Sequence, residues 1–158
     1  MSEPTIYSLG SSTRTSEEFI GVLHAYGIKT LVDVRSFPTS RFEHFKKENL
    51  EHLVKENAIN YVYLGKALGG YRKGGYESYM DTEAYKQGLE ELEKVARKSP
   101  TAFMCAERLP WKCHRRFIGE SLKTRGWRVV HIIDAGRVWE PGARTPPSFT
   151  RIDPARSK

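Results

Sequence analysis

Five short β-rich apolar runs alternate with amphipathic helical segments, and this alternation limits the folds open to the chain. The runs are Thr5–Leu9, Thr30–Val34, Asn60–Leu64, Thr101–Cys105 and Arg128–Ile133. Between the first two, Phe19, Ile20, Leu23 and Tyr26 recur at helical spacing. Leu50, Leu53 and Val54 do so within Phe45–Asn57, and Tyr85, Leu89, Leu92 and Val95 within Glu83–Lys98. His114–Arg125 reads as a fourth helix, stopped by Gly126. Thr15 and Glu18 have the spacing of a capping box, in which each side chain satisfies the other's backbone donor. Thr30–Val34 is interrupted only by Asp33, the pattern of a parallel strand covered on both faces. Strands alternating with helices predict a single three-layer α/β domain, its mainly parallel sheet of about five strands flanked by helices. We place that domain at 1–134. From 135 to 158 the pattern dissolves into Pro141, Pro146, Pro147, Pro154 and scattered arginines. This Pro/Arg-rich stretch is predicted to be an irregular C-terminal tail lying on the body through Val138, Trp139 and Phe149.

Composition narrows the class. The 158 residues suit one domain, and a hydrophobic share of 39% excludes global disorder. No apolar run approaches the roughly 20 residues that cross a bilayer, so no membrane partner is expected. The first ten residues do not have the pattern of a signal peptide. Two cysteines, Cys105 and Cys113, make no disulfide framework, which makes the cytoplasm the default expectation. The formal charge of +7 favours anionic partners, either a phosphate-bearing small molecule or nucleic acid.

In a parallel α/β sheet, ligands bind beyond the carboxyl ends of the strands. That rule collects residues distant in sequence. Ser11, Ser12 and Arg14 follow the first strand; Asp33, Arg35, Ser40 and Arg41 end or follow the second. Gly65–Arg72 follow the third, and Met104–Arg116, reading MCAERLPWKCHRR, spans the end of the fourth. Cys113 lies near a helix start beside His114, Arg115 and Arg116, and both the dipole and the cations favour its thiolate. It is the first choice for a nucleophile, the plain alternative being a structural thiol. Glu107, Asp33 and His114 complete the expected catalytic set as acids or bases. Arg14, Arg35, Arg41 and Arg115 suit an oxyanion through paired planar donors. Ser40, Gly69, Gly70, Arg72 and Cys105 complete the expected substrate contacts. Salt bridges, such as one from Asp33 to a nearby arginine, are the alternative use of these charges.

Gly65–Met80 interleaves Gly65, Gly69, Gly70, Gly74 and Gly75 with Tyr71, Tyr76 and Tyr79 and with Lys66, Arg72 and Lys73. It is not a Walker loop, since it lacks the Gly-Lys-Ser/Thr ending. A loop of this length predicts a lid or binding loop, or else a loop packed on its own tyrosines.

Several elements recur together in one known family. They are Leu9-Gly10-Ser11-Ser12 with Glu18-Phe19, Leu31-Val32-Asp33-Val34-Arg35 with Pro38 and Ser40-Arg41, Leu68-Gly69-Gly70, Cys105-Ala106-Glu107, and Cys113-His114-Arg115-Arg116. In this order, from Ile6 to Ile133, the chain resembles the family catalogued as domain of unknown function 488. The resemblance implies a compact α/β domain with a site built from those elements, and it implies no established activity. The family often has a histidine where this chain has Ser11. If that histidine is an acid or base in relatives, its role is absent here or moves to a residue such as His114.

The leading expectation is an enzyme acting on a phosphate-bearing substrate, a nucleotide or nucleic acid, at a Cys/Arg/acid site on the carboxyl edge. One alternative is a non-catalytic nucleic-acid-binding module using the basic Tyr/Gly loop and the tail. Another is a small zinc-stabilised structural domain built on Cys105, Cys113 and His114. The leading expectation needs no cofactor, because Cys-x₇-Cys is looser than the usual zinc spacing.

Overall fold

The structure is a computed structural model. It describes residues 3–141 and the backbone of 150–151. In chain order the elements are β1 (Thr5–Gly10), α1 (Ser16–Ala25), β2 (Thr30–Asp33), α2 (Lys47–Glu56) and β3 (Asn60–Tyr63). Two single-turn helices follow, α3 (Gly65–Leu68) and α4 (Tyr76–Tyr79), then α5 (Glu83–Lys98) and β4 (Thr101–Cys105). The chain continues with α6 (Arg115–Thr124), β5 (Arg128–Asp134), β6 (Arg137–Trp139) and β7 (Thr150–Arg151). The strands form one sheet in the order β3-β2-β4-β1-β5-β6-β7. β1 to β5 are mutually parallel, whereas β6 and β7 run antiparallel at the far edge.

The expected α/β class and its five parallel strands are present, with boundaries moved by a residue or so. The sheet also extends beyond them. Residues expected to begin an irregular tail reverse after Asp134 and pair back on β5 as β6. Val138 and Trp139 are buried there, and Trp139 stacks on His131 with ring centroids 5.3 Å apart. Phe149 lies outside the described residues.

Local chemistry starts the helices where the sequence indicates. Thr15 Oγ1 accepts from Glu18 N, and Glu18 Oε1 accepts from Thr15 N, so the capping box is complete. Two apolar cores lie on opposite faces of the sheet. α1 and α2 bury Phe19, Leu23, Leu50 and Val54 against Leu9, Leu31 and Met104. α5 and α6 bury Leu89, Leu92, Ile118 and Leu122 against Ile6, Val32 and Phe103. Each such side chain contributes about 1.5–3 kcal/mol of apolar burial. On the second face, the buried Glu93 carboxylate accepts from Arg125 Nε and Trp127 Nε1, both at 2.9 Å, and ties α5 to the start of β5. Among the described residues, no helix is long and apolar enough to cross a membrane.

The connections matter for the site. β1 and β4 are neighbours, but the chain leaves β1 for α1 on one face and leaves β4 for α6 on the other. Their carboxyl ends therefore flank a topological switch point, where an open parallel sheet leaves a crevice.

Candidate functional site

Gly10, the last residue of β1, stands opposite Cys105, the last residue of β4. The loops beyond them are joined by backbone bonds, Ser11 N to Cys105 O at 2.8 Å and Ser12 N to Ala106 O at 2.9 Å. A Cβ on Gly10 would stand 1.9 Å from the Glu107 carbonyl oxygen, so only glycine lets the loop after β4 cross β1. That loop runs through a 3₁₀ turn at Pro110–Lys112 and returns Cys113 to Cys105. The two thiols are free, and their Sγ atoms are 3.2 Å apart.

Arg115, the first residue of α6, is completely buried. Its Nε donates to Cys105 Sγ at 3.0 Å and its Nη1 to Ser8 Oγ at 2.9 Å. Nη2 donates to the carbonyls of Glu107 and, at 3.4 Å, Arg108. No carboxylate reaches this guanidinium among the described residues. Asp33 is spent on Arg35, and the exposed Glu107 side chain accepts from Leu109 N at 3.0 Å. A buried cation without a counter-charge is costly. The nearest group able to supply one is Cys105.

The geometry thus sets the guanidinium against Cys105, whereas the sequence expectation placed the nucleophile on Cys113. Burial pushes the Cys105 thiol up, but its bond to Cys113, the Arg115 charge and the Arg115 Nε–H outweigh it and bring it down. Cys113 moves the other way, raised first by its bond to Cys105 and then by burial. Cys113 does sit at a helix start, where its sulfur accepts from Arg115 N at 3.4 Å. The strong cation nevertheless reaches past it to the other sulfur.

His114 donates from Nε2 to the Val34 carbonyl at 2.8 Å, which leaves its lone pair on Nδ1. Burial, opposed in part by Cys105 and the Val34 carbonyl, holds it below the ordinary imidazole range. Gly70 packs flat against this ring, and a Cβ there would stand 2.6 Å from Nδ1. Behind the thiols, Ser8 Oγ, already accepting from Arg115, hydrogen-bonds His131 Nδ1. His131 is fully buried, and its imidazolium is disfavoured by burial and by Arg115. Ser8 escaped the sequence reading. The available signal was a hydroxyl inside an otherwise apolar strand.

Asp33 and Arg35 form a second buried pair, one strand away from Cys105. Arg35 Nε and Nη2 each meet one Asp33 oxygen at 2.8 Å, and Nη1 donates to the Phe45 carbonyl at 2.7 Å. Tyr61 Oη donates to Asp33 Oδ2 at 2.6 Å. Burial and the Asp33 carboxylate both push that phenol up, so it remains a donor. The expected roles of Asp33 as acid or base and Arg35 as anion holder find both groups already engaged with the protein. The bland alternative, a salt bridge across the strand end, is the arrangement observed.

The thiols form the floor of an open pocket of about 270 Å³, walled by Arg35, Ser36, Thr39, Glu107, His114 and Gly70. Phe37 and Tyr71 stand at its rim, 65% and 76% exposed, with ring centroids 5.7 Å apart. Through Thr39, Ala106 and Glu107 it adjoins a polar cleft of about 390 Å³ containing Ser11, Ser12, Thr13, Ser40, Arg41 and Arg108. Arg14 lies farther along, beside Arg108 and Asp134, and spends Nε and Nη2 on the Gly10 and Ile133 carbonyls. Burial, then Arg108, lowers its pKa from the usual guanidinium value.

The Gly65–Met80 segment is a packed loop. Tyr76 and Tyr79 donate to the Leu68 and Ala67 carbonyls and pack on Tyr85. Arg72 donates to the Gly69 and Lys66 carbonyls and lies 3.8 Å from the Tyr79 ring centroid. A Cβ on Gly69 would stand 2.2 Å from Ser36 Oγ. Arg72 and Gly69 thus shape the loop, and of its tyrosines only Tyr71 is broadly exposed.

A metal has one candidate set among the described residues. One ligand atom from each of Cys105, Cys113 and His114 lies within 4.8 Å of the others. The His114 bond to Val34 leaves Nδ1 available for such a role, but Arg115 already holds Cys105 Sγ and places positive charge beside the cluster.

No curated protein matches the chain, and no solved structure matches it. A family model does, described as Domain of unknown function DUF488, over residues 15–122. The match runs from the N-cap of α1 through the thiol loop to the last turns of α6. The chain belongs to the DUF488 family of domains of unknown function.

Proposed function

We propose that this domain is a thiol enzyme acting on a phosphate-bearing small molecule. Cys105 supplies the attacking electron pair, Arg115 keeps it ionised, and His114 Nδ1 takes up a proton from the second reactant. The observation that carries the reading is the Arg115 Nε contact to Cys105 Sγ at the floor of an open pocket. A thiolate is the reactive form of cysteine, and it needs this kind of electropositive setting.

The substrate class rests on the adjoining cleft. Its hydroxyls and the Arg41 side chain suit an anionic group, and the formal charge of +7 raises the local concentration of anions. The alternative of a nucleic-acid module loses ground, because two of the three loop tyrosines are committed to internal packing.

The test is alkylation of the native protein with iodoacetamide at neutral pH, read by mass mapping. The expected result is one fast adduct at Cys105, slowed severalfold by inorganic phosphate or a nucleoside monophosphate. A panel of phosphate esters should then show turnover that Cys105→Ser abolishes. Equal and slow labelling of both cysteines would sink the thiol reading. Fast Cys105 labelling that no phosphate compound slows would sink the substrate class.

A further inference from the structure

The second sulfur is too close to be incidental. A nucleophilic thiolate needs one cysteine, and here another thiol lies 3.2 Å away on the floor of the same pocket. A disulfide bond is about 2.05 Å long, so closing the pair needs an approach of about 1.2 Å. Cys113 belongs to a turn rather than to a strand, which makes it the sulfur able to move. We propose that Cys105 and Cys113 act as a two-electron couple that reduces hydroperoxides and closes to an internal disulfide. This rests on the Cys105 thiolate described above, but not on the phosphate-bearing substrate.

The chemistry balances. Cys105 S⁻ attacks the terminal oxygen of a hydroperoxide, forming an S–O bond as the O–O bond breaks. The alkoxide leaves and takes a proton from solvent, giving an alcohol and a Cys105 sulfenic acid. Cys113 sulfur then attacks the Cys105 sulfur; the S–O bond breaks, and the departing hydroxide takes the Cys113 proton as water. The two thiols have lost two electrons, and the peroxide has gained them. Two equivalents of an external thiol return the pair to its starting state by exchange. The pocket admits a small hydroperoxide, and its Phe37 and Tyr71 rim favours one bearing an apolar group.

Arg115 sets the direction of this couple. In the reduced state its buried charge faces a thiolate; in the disulfide it faces a neutral sulfur. The oxidised form therefore leaves a buried cation unbalanced. Stabilising the reduced form makes a disulfide more oxidising and easier to open. This bond is built for turnover, not for holding the fold together.

The experiment uses the reduced full chain treated with hydrogen peroxide and, in parallel, cumene hydroperoxide. Denatured mass analysis should show the loss of two hydrogens per chain. Both thiols should disappear together, with no covalent dimer, and excess glutathione should restore them. Cys113→Ser should stop at a sulfenic acid on Cys105 that dimedone traps. Cys105→Ser should consume peroxide at least tenfold more slowly. The wild-type arm alone decides the matter if a variant fails to fold. Retention of both thiols, disulfides only between chains, or equal peroxide consumption by Cys105→Ser would overturn the proposal. So would a stoichiometric metal in the freshly purified protein that is lost in Cys113→Ser. Fast Cys105 alkylation with no peroxide-driven disulfide would leave the thiol enzyme standing and remove only this inference.

Discussion

Two buried arginines hold the carboxyl edge of this sheet, and they differ in what faces them. Arg35 meets a carboxylate through two parallel bonds, braced by the Tyr61 hydroxyl. Arg115 meets a sulfur, a serine hydroxyl and two backbone carbonyls. Both solve the same problem of keeping a guanidinium charge out of water. The Arg35 solution is chemically quiet, because a carboxylate so paired has no lone pair to offer a ligand at low cost. The Arg115 solution sets the guanidinium against a sulfur, the atom on which the proposed chemistry rests. One pair shapes the wall of the pocket, and the other sets its guanidinium against a sulfur on the floor.

The largest effect expected from disturbing this contrast is at the quiet pair. Asp33→Asn removes the one carboxylate that faces Arg35 among the described residues and leaves a buried charge unbalanced, at a cost of about 3–5 kcal/mol. Urea unfolding measures it. A loss below ~1 kcal/mol would mean that solvent or another group reaches Arg35.

Cys105→Ser should cost less, about 1.5–3 kcal/mol, because Arg115 keeps Ser8 Oγ and two backbone carbonyls as partners, whereas Asp33 takes two of the Arg35 donors. This cost should also depend on pH. The folded-state value for Cys105 is depressed. Its contribution to stability is therefore fully present above the unfolded thiol value of about 8.5 and is lost as pH falls through the folded value. The stability gap between wild type and Cys105→Ser should narrow as pH is lowered from 9. A gap that does not change with pH would place no thiolate on Cys105.

Tyr61→Phe is the mildest change, removing one donor from Asp33 at a cost of about 1 kcal/mol. It should leave Cys105 alkylation unchanged, since Tyr61 does not line the thiol pocket. A large drop in alkylation rate would show that the two arginine pairs are coupled.

The sequence carried the frame because its signals are local. Helix starts were readable from Thr15 and Glu18, and the strands from apolar runs bounded by glycine and charge. The cluster at the carboxyl edge was readable too, since it follows from strand direction alone. Cys105, Cys113, His114, Glu107 and Arg35 do share one pocket. What a side chain does there was not readable. Arg115 is two residues from Cys113 but extends to Cys105, ten residues back, because only that direction leads into the β1–β4 crevice. Tyr76 and Tyr79 looked available to a ligand, yet the turns of their own loop present carbonyls that their hydroxyls satisfy.

Periodicity and composition thus determined the α/β class, the five parallel strands and the edge where polar groups gather. Each of these depends on residues within a few positions of one another. Which sulfur faces Arg115, which arginine is closed off, and how residues 137–139 join the sheet were decided only by tertiary structure. Each depends on which groups share a space without water. There a charge must find its partner among neighbours far apart in the chain, and Ser8, Cys105 and Arg115 meet only when β1, β4 and α6 pack.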